Sequence, residues 1–190
     1  MTTVDFPVVL RPLVIQDVEA VKALSDIVFP INYPLGYFCE CITQGEHDHL
    51  SIFGPIGLNG FVFIIKNYHS PLYGLRYTPE DAEVAKLSNY KCAYISTIAI
   101  QPSHQRRGLA SFMMAQIMYQ MSKSEKPPDV LYLHVMTTNE KAIRFYRKMG
   151  FEKFKKVKNF YKSCSIYPDA YIMIKKLDFN KPQSVSSAEK

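Results

Sequence analysis

The stretch YISTIAIQPSHQRRGLASFMMAQIMYQM, residues 94–121, constrains this chain more than any other. A strand pattern runs through Pro102 into two arginines and a glycine, and a helical pattern then starts at full strength. Glycine is the poorest ordinary helix former, so Gly108 in a first turn needs a reason. Either it merely ends a loop, or the backbone must stay bare because something comes close to it. A helix start carries free N–H groups and about half a positive charge, which together attract a phosphate. Gly108 and Ala110 keep bulk away from those amides, and Arg106 and Arg107 add charge. For an isolated QxxGxA pattern, a glycine at a strand-to-helix turn with solvated arginines is the plainer account.

The rest of the chain supplies the context. Its 190 residues suffice for one domain with a well-buried core, and 47% hydrophobic with 21% charged residues is globular composition. A net charge of +6 favours an anionic partner without naming it. Cys39, Cys41, Cys92 and Cys164 show no CxxC or zinc-type spacing and read as reduced thiols. The longest apolar runs are far too short to cross a bilayer, and the start MTTVDFPVVLRPL lacks the features of a signal peptide.

Periodicity predicts a strand over 8–13, a helix over 16–29 with Val18, Val21, Leu24 and Val28 on one face, and a short helix over 35–43. A hairpin follows over 49–68, then an interruption whose end, 78–88, is weakly helical. Next come a strand over 91–100, a helix over 107–122, a strand over 130–136, a helix over 139–150 closed by Gly150, the segment 151–157, a loop, and a strand over 170–177. Strands interleaved with helices in this order mean a mixed α/β sheet with helices packed on it. Residues 1–178 read as one domain, and 179–190 as a polar, disordered tail. Met113, Met114, Met118 and Met121 sit at helical spacing and read as core. His47, His49, His69 and His104 show no ligand pattern, so no metal is expected.

Gln105, Gly108 and Ala110 fill an Arg/Gln-x-x-Gly-x-Gly/Ala signature, with Asn139 in TTNEKAIRFY and Tyr146 before RKMGF following in order. On these residues the chain resembles the GNAT superfamily of N-acetyltransferases. Within it, FPINYP, AYI, YLHVMTTN and NFY…PDAY resemble protein N-terminal acetyltransferases for methionine-hydrophobic N-termini, above all a Golgi-associated member. The resemblance covers roughly residues 8 to 178. It implies a GNAT fold, a mixed, mostly antiparallel seven-stranded sheet with flanking helices, and acetyl-CoA as co-substrate. It also implies that the pantetheine arm lies against Ile98, Ala99 and Ile100, and the pyrophosphate on Arg106, Arg107, Gly108, Leu109, Ala110 and Ser111, with Asn139 and Tyr146 nearby.

The implied catalytic residues are Tyr94 and His134, which take a proton from the amine through an ordered water, and Tyr146, which protonates the leaving thiolate while the Ile98 amide steadies the oxyanion. Tyr94 and His134 would sit at equivalent depth on neighbouring strands, and the ordinary pKa of histidine suits a base. Taken singly, each has a plainer account. His134, on the face of its strand shared with Tyr132, would be a structural histidine; Tyr94 and Tyr146 would be packing aromatics; Asn139 would be a helix cap. Phe29, Pro30, Ile31, Tyr33, Ser96, Phe160 and Tyr161 match the segments that hold the substrate peptide, and their apolar walls with tyrosine hydroxyls suit a methionine side chain.

The expected activity is transfer of acetyl from acetyl-CoA to the free α-amine of methionine-starting proteins, by direct attack in a ternary complex. Two alternatives stay open: acetylation of lysine on histones or other proteins, and a weakly active acetyl-CoA-binding subunit of another acetyltransferase. The expected partners are the N-terminal peptide of a protein substrate and, as further options, the ribosome or an auxiliary subunit. The lysines of EKFKKVKNFYK scatter over an edge strand, where lysine guards against aggregation, so no DNA is expected. No membrane span is expected either, and the polar tail DFNKPQSVSSAEK offers no apolar face to a bilayer. The expected location is therefore cytoplasmic, although the Golgi-type relatives attach to membranes.

Overall fold

The computed structural model describes residues 7–45, 47–66, 86–161 and 168–179. Seven strands are β1 (Val9–Arg11), β2 (His47–Gly54), β3 (Gly57–Ile65), β4 (Cys92–Ile100), β5 (Val130–Met136), β6 (Glu152–Val157) and β7 (Ala170–Lys176). Among the described residues the α-helices are α1 (Val18–Val28), α2 (Leu35–Thr43), α3 (Leu109–Ser122) and α4 (Glu140–Lys148). The sheet order is β1-β2-β3-β4-β5-β7-β6. Among the described strands β4 and β5 run parallel, and every other neighbouring pair is antiparallel. The expected mixed, mostly antiparallel seven-stranded sheet is thus present, and α3 is the crossover that its parallel pair requires.

Alternation along β3 divides the core. Val62 and Ile64 point to one face, in a core shared with Met113, Met114, Ile117 and Met121 of α3 and with Ile143 and Tyr146 of α4. Phe61 and Phe63 point to the other, against Val21 and Leu24 of α1 and Phe38 of α2. The methionine stripe is therefore packing, with Met118 at its margin. Helix α1 is held at its start by Asp17, whose carboxylate accepts the Val14 N–H at 2.9 Å and both guanidinium nitrogens of Arg11 at 2.6 and 2.8 Å. That bidentate bond holds the Asp17 carboxyl below its usual range.

Several boundaries differ from the sequence expectation. The first strand is three residues long, because Leu13 turns into the core and its N–H donates to His49 Nδ1 at 3.1 Å. The first helix is preceded by a 3-10 turn over Ile15–Asp17. The hairpin begins two residues earlier, at His47. Helix α3 starts at Leu109 rather than 107, with Gly108 as its cap, so Arg106 and Arg107 lie outside it. The expected weak helix over 78–88 lies outside the described residues except for a 3-10 turn over Lys86–Asn89, and so do His69, Cys164 and residues 180–190 of the tail.

Candidate acetyl-transfer site

The parallel pairing of β4 and β5 begins at Cys92 with Val130 and ends at Tyr94 with Tyr132. One cause sits on the other edge of β4. Phe63 faces Thr97 while Ile64 faces Ile95, so Ser96 is the extra residue of a bulge, and its hydroxyl donates to the Phe63 carbonyl at 3.3 Å. A bulge bends its strand and raises the local twist, turning β4 away from β5. Beyond the last pair opens a groove of about 1000 Å³. Its walls come from β4, the start of α3, β5, α4 and the α1–α2 loop.

One end of the groove is built for an anion. Gly108 has φ +81° and ψ −4°, left-handed values that favour glycine, and Arg106 has φ +63°. Two left-handed residues within three curl the loop tightly, a geometry that turns successive N–H groups to one side. Gln105 Nε2 ties the loop to β4 by donating to the Ile100 carbonyl at 3.0 Å. The first closed turn of α3 runs from the Phe112 N–H to the Gly108 carbonyl at 2.9 Å, which leaves the amides of Leu109, Ala110 and Ser111 without acceptors in the helix. Arg106, Gly108, Leu109, Ala110 and Ser111 all line the groove. Arg107 is not among the lining residues.

At the split itself, His134 Nδ1 lies 3.3 Å from the Tyr94 hydroxyl. The expected equal depth is corrected by the register: Tyr94 pairs with Tyr132, and His134 stands two residues farther along β5. The long phenol bridges that offset. Phe160 stacks on the imidazole at 4.0 Å with the rings 10° apart. Burial pushes the His134 pKa down to about 3, so the ordinary histidine value does not apply and the ring is neutral at physiological pH. His134 Nε2 is buried without a hydrogen-bond partner among the described residues. Burial, and the neighbouring phenols of Tyr161, Tyr33, Tyr37 and Tyr132, push Tyr94 well above its usual value, so it is neutral too.

Ile98 and Ile100 turn side chains toward the α3 side of the sheet and line the groove, whereas Ala99 packs on the opposite face with Phe61 and Phe63. Asn139 both lines the groove and caps α4, its Oδ1 accepting the Ala142 N–H at 3.1 Å. Tyr146 lines the groove from α4, and burial raises its phenol pKa. Phe29, Pro30, Ile31, Tyr33, Ser96 and Tyr161 line the groove too, whereas Phe160 and Ala99 are not among the lining residues. Tyr33 is held in place by Tyr37, stacked at 5.0 Å, and by the edge of Phe29 at 5.8 Å.

The structure adds residues that the sequence reading did not single out. Thr97 is 4% exposed, lines the groove and has a hydroxyl with no partner among the described residues. Phe145, Lys141, Arg144 and Lys148 of α4 line it as well. The helical spacing of those cations was visible in the sequence; the side they face was not. Among the described residues no group of three His, Cys, Asp or Glu could hold a metal, and no helix is long and apolar enough to cross a membrane.

Known proteins share this fold. N-alpha-acetyltransferase 50 of Danio rerio is 27% identical, over 85% of this chain and 84% of its own length. Among solved structures, Arabidopsis thaliana NAA60 in complex with a bisubstrate analogue has a TM-score of 0.74 at 22% identity, covering 90% of this chain and 99% of that one. Arabidopsis thaliana Naa50 in complex with the bisubstrate analogue CoA-Ac-MVNAL has a TM-score of 0.69 at 24% identity, with the same coverage. The profile of the acetyltransferase (GNAT) family matches residues 35–151, from the first residue of α2 to just past α4. That match takes in the split strands, the glycine-led helix and most of the groove, and the chain belongs to the acetyltransferase (GNAT) family.

Proposed function

We propose that this chain acetylates the free α-amine of proteins that begin with methionine, with acetyl-CoA as donor and by direct attack in a ternary complex. The observation that carries this reading is the uncharged Tyr94–His134 pair, in a groove whose described lining residues include no carboxylate. An α-amine with pKa near ~8 is about a tenth neutral at pH 7, whereas a lysine near ~10.4 is under ~0.1% neutral. A weak, neutral acceptor suffices for the first and is poorly matched to the second. Named N-alpha-acetyltransferase relatives, and the methionine-first analogue bound by one of them, favour the same substrate.

Acetyl-CoA supplies an acyl carbon activated as a thioester. The curled loop and the open amides of Leu109 to Ser111 suit its pyrophosphate, with Arg106 and Gly108 beside them and Arg107 adding charge at longer range. The β4 edge at Ile98, Ala99 and Ile100 is unpaired on the β5 side and suits the amide-bearing arm. Asn139 and Tyr146 bound that space from α4.

With the His134 proton on Nδ1 and donated to the Tyr94 oxygen, Nε2 keeps a buried lone pair that no described group engages, in a residue that lines the groove. That lone pair accepts a hydrogen bond from the amine, or from a water between them, and takes the proton that must leave as nitrogen becomes an amide. Its low basicity is no obstacle, because that nitrogen becomes strongly acidic as the C–N bond forms. The Ile98 amide is the proposed donor to the carbonyl oxygen, and the Tyr146 phenol, kept protonated by burial, the proposed donor to sulfur. Phe29, Pro30, Ile31 and Tyr33 supply apolar surface for the first side chain, Ser96 and Tyr161 line the same groove, and Phe160 stands behind them against His134 and Tyr161.

Acetylation of a peptide panel tests the assignment. Peptides with a free methionine N-terminus are expected to react, and the same peptides with a blocked N-terminus and an internal lysine are expected to fail. Comparable kcat/KM on the blocked set would make the enzyme a lysine acetyltransferase instead.

A further inference from the structure

Helix α4 carries four cations, Lys141, Arg144, Arg147 and Lys148, against one acid, Glu140, and all four cations line the groove. Lys141, Arg144 and Lys148 fall at i, i+3 and i+7, a single stripe beside Phe145. The Phe145 ring is half-buried, 5.1 Å from Tyr146, and lines the groove with them. Like charges three and four residues apart on a helix repel each other, and Glu140 offsets little of this: its pair with Arg144 is 3.2 Å long and exposed on both sides. The helix dipole accounts for cations in the last turn, at Arg147 and Lys148, but opposes Lys141 in the first. The stripe therefore keeps most of its charge uncompensated within its own helix, the exposed Glu140–Arg144 pair being its one partner there, and it belongs to a different element from the loop that suits a pyrophosphate.

We infer that Lys141, Arg144 and Lys148 form a subsite for the ribose 3′-phosphate of acetyl-CoA, with the flat Phe145 ring beside it. This rests on the acetyl-CoA reading above. A phosphomonoester carries nearly two charges at pH 7, so it is the part of the donor that three exposed cations hold best. The chain would thereby distinguish acetyl-CoA from donors that keep the thioester and pyrophosphate but lack that phosphate.

Calorimetry on the full chain with acetyl-CoA and with 3′-dephospho-acetyl-CoA tests the assignment. At low salt the wild type is expected to bind the dephospho form about tenfold more weakly, the sum of three modest exposed contacts. The ratio should shrink as salt rises. In the variant Lys141→Gln/Arg144→Gln/Lys148→Gln, checked for folding by thermal melting, acetyl-CoA should fall to the affinity of the dephospho form, which itself should stay put. Replacing the two lysines by arginine should keep the ratio. Equal affinities in the wild type, or a ratio that survives removal of the three charges, would overturn the subsite alone. Failure of folded wild type to bind either donor would instead refute the acetyl-CoA reading, and this inference with it.

Discussion

A neutral His134 has a consequence for stability in mild acid. Its pKa falls from 6.5 to about 3 on folding, because the ring is buried between Tyr94, Tyr132 and Phe160. Between those two values the unfolded chain binds a proton that the folded chain refuses, so stability is present above pH 6.5 and is lost as pH falls toward 3. The full shift corresponds to about 5 kcal/mol, reached only near pH 3, at about 1.4 kcal/mol per pH unit. Part of that is lost to relaxation of a half-buried ring, which leaves an expected loss of about 1–2 kcal/mol between pH 7 and pH 5. The assay is urea unfolding at pH 7, 6 and 5 for the wild type and for His134→Gln. Glutamine keeps a polar side chain and removes the titration. The wild type should lose stability more steeply than the variant, while the acid response of His49 and the carboxylates cancels in the difference. Parallel curves down to pH 5 would show that His134 is not held neutral by the fold.

Two further outcomes bear on the proposed mechanism. Tyr94→Phe should lower kcat by roughly ten- to a thousandfold, the range for losing a general base or its orienter, with acetyl-CoA affinity by calorimetry nearly unchanged; wild-type kcat would make the pair structural. Gly108→Asn keeps a residue tolerant of φ +81° while adding bulk over the open amides, so it should fold and bind acetyl-CoA at least about tenfold more weakly, whereas Gly108→Val also adds backbone strain of about 1–2 kcal/mol. Unchanged affinity in a folded Asn variant would refute the bare-backbone cradle.

Much of this site was legible because it rests on local rules. The change from strand to helix periodicity around Gly108, the methionine spacing of α3 and the cap at Asn139 are written over a few residues each. The parts that needed the structure depend on partners distant in sequence. The Ser96 bulge exists only relative to Phe63 and Ile64, and the offset of His134 from Tyr94 follows from the β4–β5 register. Helix α3 starts two residues later than periodicity suggests, because that pattern cannot tell a helical residue from a left-handed one just before it. The insertion of β7 between β5 and β6 is likewise invisible to alternation, which reports faces and not neighbours. The depressed basicity of His134 was hidden for a related reason: desolvation by Phe160 and the tyrosines is a property of packing.

The site lies where it does because the described strands include a single parallel pair. Antiparallel neighbours can follow one another through tight turns and leave no crossover helix above their ends; a parallel pair must return the chain through one. Here that return is α3, so its N-terminus stands at the carboxyl end of β4, beside the last pairing of β4 with β5. In open α/β sheets such a point leaves a crevice outside the strand ends. The bulge at Ser96 widens the crevice, and Gly108 lets α3 begin at its rim without a side chain in the way. The anion-seeking helix end and the Tyr94–His134 pair are therefore brought together by one topological event. A substitution that restored regular pairing across Ser96 would be expected to close the groove between them while leaving both ends intact.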